Sequence, residues 1–301
     1  MGFHDWPLVI FSLLAQLSVG SFVALGVIRL VVKDEQRETD LYRKLDVGWI
    51  GGFIVMAVAL IVSLTHLGSP LNAPRTVLNF GSAWLSREIL FALLFAGFSG
   101  FFALFRWRQI GSRSLRTVLF ALGAAVGLTL IFCMSMIYRY IETQPAWNTP
   151  WTTVMFYMTA GLLGCLAVGA LIVTLARSAG AEAPTDAWAK ILRDTMAAAL
   201  VFVGLDVLAY FFYLLGLYNG VTAAQETAAS LLNAFGVLFY LRVLFVLAGG
   251  VFAGLVLSRL SKSETPGSTL ITLAYSAFVL ALASEVISRF LFYAANVRIG
   301  I

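Results

Sequence analysis

The stretch VGWIGGFIVMAVALIVSLTH, residues 47–66, contains no Asp, Glu, Lys or Arg. A helix of about 20 apolar residues is long enough to cross a hydrocarbon core of roughly 30 Å. Because backbone polar groups in lipid must bond to one another, a block of this length is predicted to be helical. The same pattern recurs along the chain and predicts eight transmembrane helices: Pro7–Val32, Val47–His66, Trp84–Phe105, Leu115–Ile137, Trp151–Ala176, Ile191–Leu215, Leu231–Leu257 and Ser268–Tyr293.

The composition is that of a membrane protein rather than of a soluble domain. Hydrophobic residues make up 60% of the chain and charged residues 12%, whereas soluble domains are about 25% charged. No polar stretch exceeds about 20 residues, which is too short for a second folded unit. We therefore expect an all-α integral membrane protein, a bundle of eight transmembrane helices in which residues 1–301 form a single polytopic membrane-anchor domain.

The basic residues indicate an orientation in the membrane rather than nucleic-acid binding, although the net charge is +5. Short cytoplasmic loops carry an excess of Lys and Arg. The first, third, fifth and seventh loops, with the adjoining helix ends, share one side and hold most of the basic residues: Arg29, Lys33, Arg37, Arg43, Lys44, Arg106, Arg108, Arg113, Arg116, Arg177, Lys190, Arg193, Arg259 and Lys262. The sequence thus predicts that both termini are periplasmic (N-out, C-out) in a bacterial inner membrane.

Histidines and cysteines are too few for a resident metal centre. Cys133 and Cys165 both lie inside apolar blocks, and neither belongs to a CxxC pair, so no zinc or iron–sulfur site is expected. His66 is the one histidine besides His4, which excludes a haem held by two membrane histidines. If the protein handles electrons, they must therefore leave through the cofactor of a partner.

Charged residues inside membrane spans are costly and usually mark a function. Asp206 lies well inside the sixth span, in the run VFVGLDVLAYFFYLL, and Arg242 lies in the seventh. Glu285 and Arg289 are four residues apart on the eighth span, close enough to pair. Two interpretations remain open. Asp206 with Arg242, and Glu285 with Arg289, are structural ion pairs, or these residues line a polar pocket that opens toward the outer leaflet.

His66 and Glu88 are expected at a similar outer depth, because the second and third spans are antiparallel neighbours. His66 ends the second span before Gly68 and Pro70, which stop a helix, and Glu88 lies early in the third span. A neutral imidazole and a carboxylate near the lipid interface can accept the protons of a hydroquinone. A purely structural role, in which His66 caps carbonyls and Glu88 favours a helix N-terminus, is the alternative.

Several segments, in order along the chain, resemble the membrane-anchor subunits of anaerobic dimethyl sulfoxide reductases. They are FHDWPLVIF (3–11), HLGSP (66–70), LSREI (85–89), TQPAWNTPW (143–151) and SEVISRF (284–290). The region from about residue 179 to 236 is similar only in hydropathy.

The resemblance implies that the chain anchors a molybdopterin catalytic subunit and an iron–sulfur electron-transfer subunit to the membrane. It implies that the chain binds menaquinol and passes its electrons to the iron–sulfur subunit, with His66 and Glu88 as the catalytic residues. The family commonly has Ser-Asn-Glu where this sequence has Ser86-Arg87-Glu88. An ion pair between Arg87 and Glu88 would make the carboxylate a weaker base.

We therefore expect a quinol pocket near the outer leaflet formed by His66, Arg87, Glu88, Asp206 and Arg242, with no metal in this chain. Three alternatives remain. The chain is the anchor of another molybdoenzyme, acting on polysulfide, tetrathionate or selenate; it is a transporter, which would have inverted repeats and helices broken at mid-membrane; or it is an anchor without a quinol site.

Overall fold

The computed structural model describes residues 6–31, 43–65, 79–178, 185–261 and 267–299, with the side chains of α6 described from residue 188 onward. Within these ranges the chain forms nine helices and no strand: α1 (Trp6–Val31), α2 (Val47–Leu64), α3 (Trp84–Trp107), α4 (Arg113–Arg139), α5 (Pro150–Ser178), α6 (Thr185–Tyr218), α7 (Thr222–Leu232), α8 (Gly236–Leu260) and α9 (Ser268–Ala294). All except α7 are long and apolar enough to cross a membrane. The predicted all-helical fold with eight spans is thereby confirmed.

The seventh span begins later than the sequence predicted. It was expected to begin at Leu231, but Leu231 belongs to the short helix α7, and α8 begins at Gly236. The helical path is interrupted by a turn at residues 233–235, where Phe235, with φ of −105° and ψ of 13°, departs from helix geometry. The sequence of α7, TAAQETAASLL, has a polar face, so hydropathy alone did not separate it from the span that follows.

Antiparallel packing gives the bundle two ends. Helices α1, α3, α5 and α8 begin at one end of the bundle, called the Trp6 end, and helices α2, α4, α6 and α9 finish there. At the opposite end, called the Val31 end, the first four helices finish and the other four begin. Aromatic contacts join the elements of the Trp6 end, with Trp84 against Tyr140 and Trp147 stacked on Phe292.

The first helix packs in the middle of the bundle, against α5, α2, α4 and α9. Its tightest approach is at Gly20. A Cβ atom at Gly20 would lie 1.9 Å from the backbone oxygen of Ala160, and one at Gly164 would lie 2.2 Å from the backbone carbon of Gly20. Only residues without a Cβ let two membrane helices approach so closely. This contact fixes α1 against α5 and thereby positions Gln16 and Thr159, which belong to the site described next.

Candidate functional site

The Trp6 half of the bundle encloses a buried ion pair between α6 and α8. Nη2 of Arg242 donates to Oδ2 of Asp206 at 2.5 Å, and each side chain is only 1% exposed. The guanidinium also lies over the ring of Tyr210, 4.3 Å from its centroid. A charge buried among apolar helices is tolerated only with a partner. The structure thus contains the ion pair between Asp206 and Arg242 that one of the two interpretations of the sequence expected.

The structural interpretation paired Glu285 with Arg289 along α9, but both side chains bond to other helices instead. Oε2 of Glu285 accepts a hydrogen bond of 2.6 Å from Thr159, and Oε1 lies 3.9 Å from Nη2 of Arg242. Nη2 of Arg289 donates to Oε1 of Gln16 at 3.0 Å. The i,i+4 spacing allowed an ion pair within one helix, but neighbouring helices offer both groups partners across the interfaces. Arg242 therefore lies between two carboxylates, Asp206 and Glu285.

Aromatic rings and a small cavity complete this buried polar cluster, formed by Gln16, Thr159, Asp206, Arg242, Glu285 and Arg289. The guanidinium of Arg289 lies 3.8 Å from the ring centroid of Phe156, a geometry favourable for a cation–π contact. The cavity is about 20 Å³ in volume and is lined by Asp206, Arg289 and the ring of Tyr210, among others. That is room for about one water molecule, and far too little for a quinone ring. The cluster itself therefore contains no ready-made quinol pocket.

Glu88 lies apart from this cluster, in the second turn of α3. Its side chain is half-buried, and it makes no hydrogen bond or ion pair with any other residue that the structure describes. The carboxylate lies within electrostatic range of Tyr138, near the end of α4. The hydroxyl of Tyr138 in turn is hydrogen-bonded to that of Tyr293, near the end of α9, at 2.5 Å. Glu88 is thus a carboxylate at the Trp6 end without a described hydrogen-bond or ion-pair partner, within electrostatic range of Tyr138.

Arg87 does not form the ion pair with Glu88 that the adjacent positions in the sequence left possible. Its Nε donates to the carbonyl of Phe80 at 2.9 Å and its Nη2 to that of Gly81 at 2.8 Å. The guanidinium also covers the ring of Trp84, 4.2 Å from its centroid. Successive side chains on a helix do not face each other, which explains why adjacent charges separate. Arg87 stabilises the turn that leads into α3 and leaves the Glu88 carboxylate unneutralised.

His66 lies outside the described residues, and so does most of the segment from Leu67 to Ala83 that joins the second and third spans. Because α2 is described to Leu64 and α3 from Trp84, the helix ends on either side of that loop are both at the Trp6 end. The expected common depth of His66 and Glu88 stays a prediction.

The predicted site residues therefore fall into two groups rather than one pocket. Asp206 and Arg242 join α6 to α8, and through Glu285 to α9. Glu88 and Arg87 belong to α3, which packs mainly against α4 and α2. Whether quinol reaches Asp206 and Arg242 stays a prediction, and their contacts with each other and with Glu285 agree with the structural interpretation.

Four polar side chains of the two groups were not anticipated from the sequence: Gln16, Thr159, Tyr138 and Tyr293. Gln16 carries a signal that sequence analysis could have used, because it is an amide in the middle of the apolar helix α1. The two tyrosines carry none, because tyrosine is common near membrane interfaces. Only the three-dimensional structure, which brings the ends of α4 and α9 together, shows that their hydroxyls meet. No group of three or more His, Cys, Asp or Glu that could hold a metal ion occurs among the residues described.

Comparison with known proteins extends over nearly the whole sequence. A family model described as "DMSO reductase anchor subunit (DmsC)" matches residues 1–295. The protein is 28% identical, over 300 residues, to one of the chains of the anaerobic dimethyl sulfoxide reductase of Escherichia coli K12, with 99% of this sequence and 97% of the relative covered. It is 27% identical over 299 residues to YnfH, an anaerobic dimethyl sulfoxide reductase chain of the same organism, with 99% and 97% covered. It is also 30% identical, over 136 residues, to one of the subunits of the sulfite dehydrogenase of Allochromatium vinosum, with 41% of each covered.

The family match confirms the resemblance seen in the sequence segments, and it extends through the part that matched only in hydropathy. The eight apolar spans are those of a multi-pass membrane protein. The chain belongs to the family of dimethyl sulfoxide reductase anchor subunits.

Proposed function

We propose that this chain is the quinol-oxidising membrane anchor of a molybdopterin oxidoreductase complex. A quinol, expected to be menaquinol, enters from the lipid near the Trp6 end and is oxidised to the quinone. Two electrons pass to an iron–sulfur subunit docked on that end, and from there to the molybdopterin subunit that reduces the terminal acceptor. Two protons are released at the Trp6 end. Family membership supports the anchor role, and the local chemistry supports the quinol step.

The observation that carries the proposal is that the Glu88 side chain has no described hydrogen-bond or ion-pair partner. A carboxylate one turn inside a membrane helix, half-buried and without a described hydrogen-bond or ion-pair partner, is costly to maintain. Arg87, the nearest cation in the sequence, is engaged by two backbone carbonyls instead. An acceptor-only group left open in this way is suited to receive a hydrogen bond from a quinol hydroxyl, and then its proton.

His66 is proposed as the second proton acceptor. It precedes Leu67 and Gly68 after α2, and its imidazole, when neutral, can accept the proton of the other quinol hydroxyl. In this arrangement Glu88 and His66 bind the two hydroxyls from α3 and from the end of α2. Both protons then leave by the Trp6 end without crossing the bilayer.

The electron path requires a partner at the same end. We propose that the iron–sulfur subunit docks on the loops of the Trp6 end, including the segment between α4 and α5. That segment is well anchored, because Trp147 Nε1 donates to the carbonyl of Phe292 at 2.7 Å and the Ile299 amide to that of Thr143 at 2.9 Å. A docking surface held by such bonds keeps the distance from quinol to cluster constant.

We further propose that the Trp6 end faces the periplasm of a bacterial inner membrane, as the distribution of basic residues predicts. An alkaline-phosphatase reporter fused after residue 301 should then be active, and one fused within the segment between α3 and α4 should be inactive. The reverse pattern would overturn the orientation while leaving the quinol site at the Trp6 end.

The experiment that tests the quinol proposal is steady-state oxidation of a menaquinol analogue by the purified complex. Glu88→Gln removes the base and keeps the size of the side chain. It should lower kcat by about 10²–10⁴-fold, the usual contribution of a positioned acid or base. The matched control is Glu226→Gln, an exposed acid on α7 at the same end, which should retain wild-type turnover. Equal turnover in both variants would reduce Glu88 to a structural role.

A second candidate function is the anchor of a different molybdoenzyme. The observation that favours it is the partial similarity to one of the subunits of a sulfite dehydrogenase. In a complex that oxidises its substrate, the same residues would donate protons to a quinone. Comparing the complex in both directions, with menaquinol plus an acceptor and with menaquinone plus sulfite, separates the two candidates.

A further inference from the structure

A long apolar groove runs between α1 and α6. Both helices pack on α5 but make little direct contact with each other in the part of the chain that the structure describes, so α5 forms the floor and the other two form the walls. The groove has a volume of about 640 Å³, within the range of roughly 300–1,000 Å³ that is usual for ligand sites. Neither Glu88 nor any member of the buried polar cluster lines it, so it is separate from both groups described above.

The shape of the groove is that of an extended chain. On α1 its lining runs from Val19 to Val31, a rise of about 18 Å at about 1.5 Å per residue. On α6 it runs over the same number of residues, from Lys190 to Phe202. The floor includes Gly161, which has no side chain to fill the space. A long, narrow and largely aliphatic groove fits an acyl chain.

The charged residues of the groove are confined to its Val31 end. Lys190 and Asp194 lie one turn apart on α6, and both line the groove and are exposed. Lys190 makes no hydrogen bond or ion pair with any residue that the structure describes. The ion pair of Asp194 is with its neighbour Arg193 at 3.9 Å, with both side chains more than half exposed, and such a surface pair contributes little. Two opposite charges are therefore free to bind a ligand at this end.

The charged end of the groove lies at the depth of lipid headgroups. Helix α6 has 34 residues, which is a length of about 51 Å, whereas the hydrocarbon core is roughly 30 Å thick. A centred helix therefore extends about 10 Å beyond the core at each end. Lys190 is the sixth residue of α6 and Asp194 the tenth, which places the first in the headgroup region and the second at its boundary.

We propose that the groove binds one phospholipid whose headgroup carries a primary ammonium group, as in phosphatidylethanolamine. One acyl chain lies along the groove, the Lys190 ammonium donates to the phosphate, and the Asp194 carboxylate accepts from the headgroup ammonium. Charge complementarity selects this lipid, because its headgroup offers a partner to both side chains. Phosphatidylglycerol offers Asp194 no cation, and the quaternary ammonium of phosphatidylcholine has no N–H to donate. The binding is independent of the quinol function.

Native mass spectrometry of the intact purified complex tests the proposal, with phosphatidylethanolamine, phosphatidylcholine and phosphatidylglycerol each added as a separate probe. Phosphatidylethanolamine should bind most tightly. Lys190→Gln should weaken its binding about fivefold, as expected for the loss of one basic side chain near a lipid phosphate. Asp194→Asn should remove the preference for phosphatidylethanolamine over phosphatidylglycerol. Equal affinity of the wild type for the three lipids would overturn the proposal.

The matched control for charge is Arg177→Gln. Arg177 is an exposed basic residue in the last turn of α5, at the same end of the bundle, and it does not line the groove. Its substitution should leave lipid affinity unchanged. A loss as large as that in Lys190→Gln would show a general effect of surface charge and would overturn the site.

The acyl chain is tested by filling the groove. Ala198 lines the groove, whereas its neighbour Ala197 is exposed and does not. Ala198→Leu should weaken phosphatidylethanolamine binding, and Ala197→Leu should not. If Ala198→Leu bound the lipid as the wild type does, the proposal would be overturned. A raised KM for a menaquinol analogue with an isoprenoid tail in that variant would then identify the quinol tail as the occupant.

Discussion

Replacing Arg242 with Met should destabilise the protein strongly, because one guanidinium compensates two buried carboxylates. Arg242 Nη2 is 2.5 Å from Asp206 and 3.9 Å from Glu285, and all three side chains are at most 2% exposed. Breaking a buried pair by removing one partner costs about 3–5 kcal/mol. Here two acids lose their cation, so we expect the upper part of that range, a large share of the roughly 5–15 kcal/mol that holds a typical domain folded.

The comparison with Asp206→Asn makes this prediction specific. In that variant Arg242 keeps Glu285 as a partner, and the uncharged amide can still accept a hydrogen bond from Arg242. The loss should therefore be smaller, about 1–3 kcal/mol for the weakened charged hydrogen bond. In the double variant Asp206→Asn/Arg242→Met, one of the two orphaned acids is removed, so its stability should exceed that of Arg242→Met alone.

Unfolding free energies measured in bicelles, with folded wild type as the reference, provide the assay. The order of stability should be wild type, Asp206→Asn, the double variant and finally Arg242→Met. If Arg242→Met were as stable as the wild type, or if Asp206→Asn cost as much as Arg242→Met, the central position of Arg242 between two charges would be refuted.

Three further predictions concern other parts of the molecule. Gly20→Ala should impair folding or assembly, because its Cβ would meet the backbone oxygen of Ala160 at 1.9 Å, whereas Gly204→Ala, where nothing lies within 4 Å, should be neutral or stabilising by up to about 1 kcal/mol; thermal unfolding in detergent distinguishes them. Arg87→Met should lose about 1–3 kcal/mol of stability from its hydrogen bonds to two carbonyls, and unchanged thermal unfolding would contradict that role. In proteoliposomes, turnover with menaquinol and an acceptor reduced on the Trp6 side should build no membrane potential, so a potential-sensitive dye that responded to turnover would contradict the proposed proton path.

Hydropathy was sufficient to predict the eight spans because the membrane imposes one length and one kind of secondary structure on every crossing. The same constraint made the pairing of Asp206 with Arg242 predictable, since a buried charge in the sixth span needed an opposite charge at similar depth. The start of α8 was not predictable in this way. α7 combines apolar residues with a polar face, and only the turn at residues 233–235 separates it from the following span.

Contacts between helices distant in sequence were the part that could not be predicted. Glu285 and Arg289 satisfied every local rule for an i,i+4 pair, yet α5 and α8 offered partners to Glu285 and α1 offered one to Arg289. Which helices become neighbours depends on close approaches such as that between Gly20 and Gly164. A single sequence does not show which of its many small residues make such contacts.

The direct test of the central claim is the rate at which a menaquinol analogue reduces the partner's iron–sulfur clusters in one turnover. Rapid-freeze electron paramagnetic resonance on the assembled complex would follow the clusters in the wild type, Glu88→Gln and Glu226→Gln. Dithionite reduction would first confirm that all three contain the same clusters. Slow cluster reduction by quinol in Glu88→Gln alone is the predicted result. Cluster reduction at the wild-type rate in Glu88→Gln would contradict the proposed quinol site at the second turn of α3.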